Sequence, residues 1–365
     1  CLVTHARHNG IDSYTTPRLV ADSTLIVTNT IIRKSATNGI YTCAVDSRIL
    51  NCTISQSGGA GVALQQNDTT GVIQVPRVSN FLVRASTVSS NLNSGISLAF
   101  WNYSADLPSV PVRIEDCWIE DNVGVRGGGI ADGGGGTTDR SSGVQISGST
   151  IRRNRASIRG GGVAFLSSRS PSISRSIVED NVSDDDAGGI YLVGGTMVNC
   201  LVRNNVCADD GGVMYQGEAR NTTIVLNKAN RAGGVFQGDI RNCIVYYNSA
   251  NTSTNVYGSV ASYSCTAPLP SAGIGNLSDP PGFAGFRNWR LVAGAPCVDA
   301  GNLWLSTGSS DLEGDPRIWG NEVDMGCDEF YSPGLGGPLA VAVESSADRA
   351  VVGAPVSFKC DVDGK

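Results

Sequence analysis

Five acidic residues are the part of this chain best suited to holding a hard cation: the run Asp184-Asp185-Asp186, with Asp209-Asp210 following about one repeat later. Calcium takes roughly six to eight oxygen ligands, so carboxylates delivered from two neighbouring segments are the residue type such a site needs. The candidate ligands are Asp185, Asp186, Asp209 and Asp210. Other chemistry is thinly provided. Glycoside hydrolysis requires two carboxylates across a cleft, and elimination requires a base beside an acidified sugar. The only histidines are His5 and His8, and the Asn-Thr-Asp, Gly-His-Gly and Arg-Ile-Lys sets expected of a polygalacturonase are absent. The expectation is therefore a chain without a catalytic centre, with no cofactor beyond a calcium ion at the acidic cluster.

The elements that must position these acids are repeats. A small residue recurs at Cys1, Thr30, Cys52, Ser86, Cys117, Ser149, Ser176, Cys200, Thr222 and Cys243. A β-branched aliphatic stands two places later each time, at Val3, Ile32, Ile54, Val88, Ile119, Ile151, Val178, Val202, Ile224 and Val245. A third column runs Ala6, Ser35, Ser57, Asn91, Asn122, Asn154, Asn181, Asn205, Asn227 and Asn248, its spacing falling from 34 residues to 21. A unit that short is too small for a helical hairpin, and inward positions at i and i+2 have the period of a strand. The fold class expected is all-β, a right-handed parallel β-helix in which each winding stacks on the last, roughly 4.8 Å higher.

The asparagines Asn122, Asn154, Asn181, Asn205, Asn227 and Asn248 are expected to form a turn ladder, their carboxamides bonded to one another along the axis. Sequons such as Asn51-Cys-Thr, Asn181-Val-Ser and Asn221-Thr-Thr carry little weight in so polar a chain. Five windings then show a glycine pair before an aliphatic, ending at Ile130, Val163, Ile190, Val213 and Val235. Glycine is expected there for the positive φ of a sharp corner. A phosphate-cradling loop would need a following helix, which the sequence lacks. Four residues before those corners lie Arg126, Arg159, Asp186, Asp209 and Arg231, so a ladder of alternating charge competes with the cation site as the reading of the acids. Among aromatic residues that could stack on sugars, Trp101, Tyr103, Trp118, Tyr191, Tyr246 and Tyr247 form no continuous column, and Trp118 should face outward.

Composition narrows the partners. With net charge −6 and only four lysines, the chain has no basic stripe for nucleic acid. No apolar run reaches the length of a membrane span and no leader is visible. Of eleven cysteines, Cys1, Cys52, Cys117, Cys200 and Cys243 belong to the inward column, where members two windings apart are too distant to bridge. Cys265 lies 22 residues after Cys243, one winding on, which makes Cys243–Cys265 the first expected disulfide and Cys297–Cys327 the second.

Residue 1 already falls inside a winding, which suggests a truncated start. The expected organisation is β-helix windings over 1–268, a C-terminal cap over 269–331, a linker at 332–338, and the first strands of an incomplete module at 339–365. Asp299, Asp315, Arg317 and Asp324 should bond turn amides within the cap, and Trp289, Trp304 and Trp319 should cover the last open winding. The stretch Asn242-Cys-Ile-Val-Tyr, Gly275-Asn-Leu-Ser-Asp-Pro-Pro-Gly-Phe, Arg290-Leu-Val-Ala-Gly-Ala-Pro-Cys-Val-Asp-Ala-Gly-Asn, Asp311-Leu-Glu-Gly-Asp-Pro-Arg-Ile and Val323-Asp-Met-Gly-Cys-Asp-Glu-Phe resembles the C-terminal part of bacterial choice-of-anchor Q domain proteins. The windings over about 80–250 are similar to repeats of polymorphic outer-membrane proteins, and the final segment looks like the opening of an Ig-like or PKD-like module. These resemblances imply an exported, modular surface protein. The function expected is a non-enzymatic structural or adhesive segment, a rigid extracellular rod. A polysaccharide-binding or polysaccharide-cleaving β-helix is the alternative, and a self-assembling filament subunit the second. Partners would be other domains of the same protein, cell-surface glycans or further copies of the chain.

Overall fold

The computed structural model describes residues 1–13, 23–44, 46–66, 80–100, 112–132, 143–166, 170–285, 287–320, 322–331, 340–345 and 358–363. Three parallel sheets wrap the chain around a common axis. The first runs through eleven strands from Leu2–Thr4 to Cys265–Thr266, the second through ten from Ile11–Ser13 to Val256–Tyr257, and the third through ten from Thr24–Thr28 to Val260–Ser262. A narrow fourth sheet of six strands, Val123–Arg126 to Ser249–Thr252, is inserted between the first and second. The architecture is the all-β parallel β-helix that the period-two columns predict.

The aliphatic column superposes throughout: Val3 pairs with Ile32, Ile151 with Val178, Val178 with Val202, and Ile224 with Val245. From Ile32 onward every member is fully buried in one continuous core. The small-residue column is more than filler. Its hydroxyls accept a backbone N–H from the winding before, as when Cys52 N donates to Ser86 Oγ at 3.0 Å and Cys117 N to Ser149 Oγ at 3.1 Å. The buried thiols of Cys117, Cys200 and Cys243 have their pKa pushed up to about 12, burial being the main cause, so they pack as neutral groups.

The asparagine ladder is one chain of amide hydrogen bonds. Asn205 Oδ1 accepts from Asn181 N at 3.0 Å and Asn181 Nδ2 at 2.9 Å, while its own Nδ2 donates to Asn227 Oδ1 at 3.0 Å and Val178 O at 2.9 Å. The same pattern links Asn91, Asn122, Asn154, Asn181, Asn205, Asn227 and Asn248. It ends one member later than the repeat indicates, because Asn248 N and Nδ2 both donate to Asn255 Oδ1. Asn255 is only seven residues on, in the same winding as Asn248 and at the corner position that Gly234 holds in the winding before, so no regular spacing could reveal it. Asn181 and Asn221 are buried, which rules out glycan attachment at those sequons in the fold.

The glycine pairs need a different explanation from the one anticipated. In the four pairs Gly128-Gly129, Gly161-Gly162, Gly188-Gly189 and Gly233-Gly234 the left-handed residue is the one before the pair: Gly127, Gly160, Ala187 or Ala232. The pair itself is glycine for want of space. A methyl on Gly161 would run into the carbonyl oxygens of Gly188 and Val182 in the next winding. In the fourth winding the left-handed residue is Gly211, so the corner aliphatic is Met214, paired with Ile190 and Val235, and not Val213. That one-residue shift moves the preceding acid too.

Residues 269–331 hold one short antiparallel pair, Phe283–Gly285 with Asn288–Leu291, and pack on the outer face of the first sheet. Arg317 is buried there. Its guanidinium donates to Asp324 O at 2.8 Å and Gly326 O at 2.7 Å and lies 3.3 Å from Glu329. Asp324 accepts from the amides of Asp299 and Phe330, and Asp311 from those of Glu313, Gly314, Asp315 and Glu329. Asp311, rather than Asp315, is thus the turn-binding acid. Trp289 packs against Phe283 and Trp319 against Tyr331, but Trp304 is 92% exposed and covers nothing, correcting the expected role of that ring. The strands Ala340–Ser345 and Phe358–Asp363 pair antiparallel. No helix among the described residues is long and apolar enough to cross a membrane. The linker 332–338, Trp101 and Tyr103 lie outside the described residues.

The ten cysteines from Cys1 to Cys327 carry free thiols, so neither expected disulfide is present. The reason for the first is register. Cys243 N donates to Ser264 Oγ, and Cys265 pairs with Ile244, so the inward column continues through Ser264. Cys265 sits one residue on, and successive strand residues face opposite sides. Cys327 lies with Leu201 and Val225, while Cys297 lies in a separate cluster with Ile244 and Leu291.

Candidate functional site

The acidic residues fall on two adjacent windings, at the edge between the fourth and second sheets. The Asp210–Arg231 bridge puts Asp210, rather than Asp209, in line with the ladder of Arg126, Arg159, Asp186 and Arg231. Arg159 Nε lies 3.5 Å from Asp186 Oδ2, and Arg231 Nε donates to Asp210 Oδ1 at 2.8 Å. Arg155 pairs with Asp184. Three of the five acids therefore have a basic partner.

The remaining two change the balance. Carboxylate oxygens of Asp185, Asp186 and Asp209 all lie within 4.8 Å of one another. Among the described residues no basic side chain pairs with Asp185 or Asp209, which leaves two negative charges beside the already paired Asp186. The Asp186 carboxyl is pushed above the usual range, by burial first and then by the charge of Asp185. Asp210 is removed from the candidate ligand set, because both its oxygens are engaged by Arg231. With one oxygen from each, three carboxylates supply fewer than the roughly six to eight oxygens a calcium ion takes, so a cation here would keep positions open for water or an acidic ligand.

Beside these acids runs an aromatic column, where the residue types suggested no continuous one. Tyr191, Tyr215, Phe236 and Tyr257 stack on the outer face of the second sheet, with centroids 5.0, 5.1 and 5.3 Å apart and planes within 19° of parallel. Each follows a corner aliphatic by one residue, a signal visible only once Met214 replaces Val213 in the register. Arg159 lies 5.0 Å from the Tyr191 ring, and Arg231 lies 4.7 and 5.0 Å from Phe236 and Tyr257. The ring faces are taken up by each other and by these guanidinium groups. The column thus locks Arg159 and Arg231 beside the acids and does not offer a free platform to a sugar. Trp118 does face outward, under Arg152. Tyr246 and Tyr247 meet edge to face, and Tyr246 Oη donates to Ser278 O.

Comparison with known proteins agrees with the architecture. The family described as right handed beta helix region matches residues 1–139 and 72–261. The chain belongs to that family. No curated protein matches the sequence. Among solved structures, the crystal structure of pectate lyase Pel9A resembles it with a TM-score of 0.44 and 15% identity, over 90% of this chain and 79% of that one. The non-enzymatic expectation is withdrawn, because a pectate lyase stands among the solved structures this chain resembles. At this TM-score and identity the likeness supplies no residue, substrate or reaction for this chain, whose fold rests on the family match and the sheets themselves.

Proposed function

We propose that this right-handed β-helix binds acidic polysaccharide through a calcium ion held by Asp185, Asp186 and Asp209. The observation that carries the reading is the convergence of three carboxylates, two of them without a basic partner among the described residues. The ion would offset their repulsion, and its open positions would take the carboxylate and hydroxyl oxygens of a uronic acid. Arg159 and Arg231, held on the aromatic column, would supply cationic groups along the same edge.

Exported, surface-displayed use suits such a ligand. The resemblance of Asn242–Phe330 to choice-of-anchor Q proteins supports it, as does a stiff shaft of stacked windings that would hold the site away from a cell surface. On this reading the chain divides into windings over 1–268, a cap over 269–331, a linker, and the opening of a separate module.

The test is calorimetric titration of calcium into the protein, followed by oligogalacturonate with and without the ion. Calcium should bind near one equivalent, oligogalacturonate only in its presence, and Asp209→Asn should weaken both by at least tenfold. Ultraviolet absorbance of unsaturated products in the same mixtures reads cleavage by elimination. Equal binding with calcium or with chelator would overturn the proposal.

A further inference from the structure

Cys265 and Cys297 come from segments 32 residues apart and meet in one buried cluster with Ile244, Leu291, Ala295 and Met325. Cys265 is carried by the last strand of the first sheet, paired with Ile244, and points away from the helix interior toward residues 269–331. Cys297 is held opposite it by the turn that Ala295 and Met325 close, with Met325 N donating to Cys297 O at 3.0 Å. Cys265 Sγ donates to Asp279 O at 3.2 Å, and no other group in the cluster perturbs Cys297 as strongly as Cys265 does. Both are fully buried, and both face the joint between the last winding and the segment that covers it.

We infer that Cys265 and Cys297 are a cross-linking pair whose oxidation fastens residues 269–331 onto the last winding. A small-molecule disulfide of the glutathione type is the oxidant: each cysteine gives up its S–H proton, the two sulfurs form one S–S bond, and the oxidant's S–S bond is reduced to two thiols. The neighbouring Cys265, and then burial, push the Cys297 pKa up, so in the closed structure Cys297 is shielded and poorly nucleophilic. The exchange therefore belongs to folding or to an opened joint, and once made the bond resists reductants as long as the joint stays closed.

The full chain, reduced and unfolded, is refolded with or without oxidised glutathione, alkylated and digested for mass spectrometry. The expected result is a peptide containing Cys265 joined to one containing Cys297, and in the intact protein reductant should break that bond only after denaturant is added. The oxidised protein should melt several degrees higher than the reduced one, and Cys297→Ser should remove the difference while Cys207→Ser keeps it. Recovery of both cysteines as alkylated thiols after oxidative refolding, or linkage of either to Cys243 or Cys327, overturns the inference. If Cys297→Ser does not fold, the wild-type peptide map decides alone.

Discussion

Replacing Asn205 with alanine tests whether the asparagine ladder holds the windings together. The side chain accepts from Asn181 N and Asn181 Nδ2 and donates to Asn227 Oδ1 and Val178 O, all buried. Alanine leaves the two Asn181 donors without that acceptor, although Asn181 Nδ2 keeps its bond to Ile151 O. Each buried donor left unpaired costs about 1–3 kcal/mol, so Asn205→Ala should destabilise by ~3–5 kcal/mol after some relaxation. Asn205→Asp separates hydrogen-bond direction from shape. It keeps the acceptor for Asn181 but sets a carboxylate oxygen against Asn227 Oδ1 and Val178 O. Its loss at neutral pH should match or exceed that of alanine and shrink as acid protonates the new side chain and restores a donor. Urea unfolding, with hydrogen exchange at the amides of Asn181 and Val182, reads both changes. Asn251, exposed and bonded only to Asn230 among the described partners, is the control. A loss below 1 kcal/mol for Asn205→Ala, or equal to that of Asn251→Ala, would refute the ladder as a source of stability.

Three further outcomes are expected. Gly161→Ala should cost more than 2 kcal/mol, because the added methyl meets backbone on two sides, whereas Gly285→Ala, with open space around it, should be neutral; thermal melts compare them. Arg317→Met should loosen residues 269–331 by about 3–5 kcal/mol by leaving Glu329 buried without its partner, seen as faster proteolysis there with the windings intact. Burial raises the Asp328 carboxyl to about 7, helped by Asp311 and Glu313. Folding therefore takes up a proton between the unfolded value near 4 and about 7, and stability falls as pH rises through that window, by at most ~4 kcal/mol. Melting should be higher at pH 5 than at pH 8, and Asp328→Asn should remove part of the difference, the rest coming from Asp324 and Glu329, whose carboxyls burial raises to about 6 and about 8.

Most of the shaft was legible in the residues, because a stacked winding sees chiefly its neighbours and each column answers to one local requirement. Small residues at Ser86 and Ser149 meet a backbone amide, branched ones at Val178 and Val202 fill the axis, and asparagines close the turn. The errors were slips of one residue. Met214 for Val213 and Ser264 for Cys265 cannot be told apart by type, since both members of each pair suit the position, and in a strand a single step exchanges inside for outside. From those steps followed the misassigned Asp209, the hidden column of Tyr191, Tyr215, Phe236 and Tyr257, and the wrong partner for Cys265.

Composition and period alone thus determined the solenoid, its inward columns and the amide ladder, because these rest on contacts that repeat at nearly constant separation. Tertiary structure decided which acids converge, which are neutralised by Arg159 and Arg231, and how residues 269–331 seat on the first sheet. Those depend on side chains brought together once, across unequal loops, where no periodicity constrains the pairing.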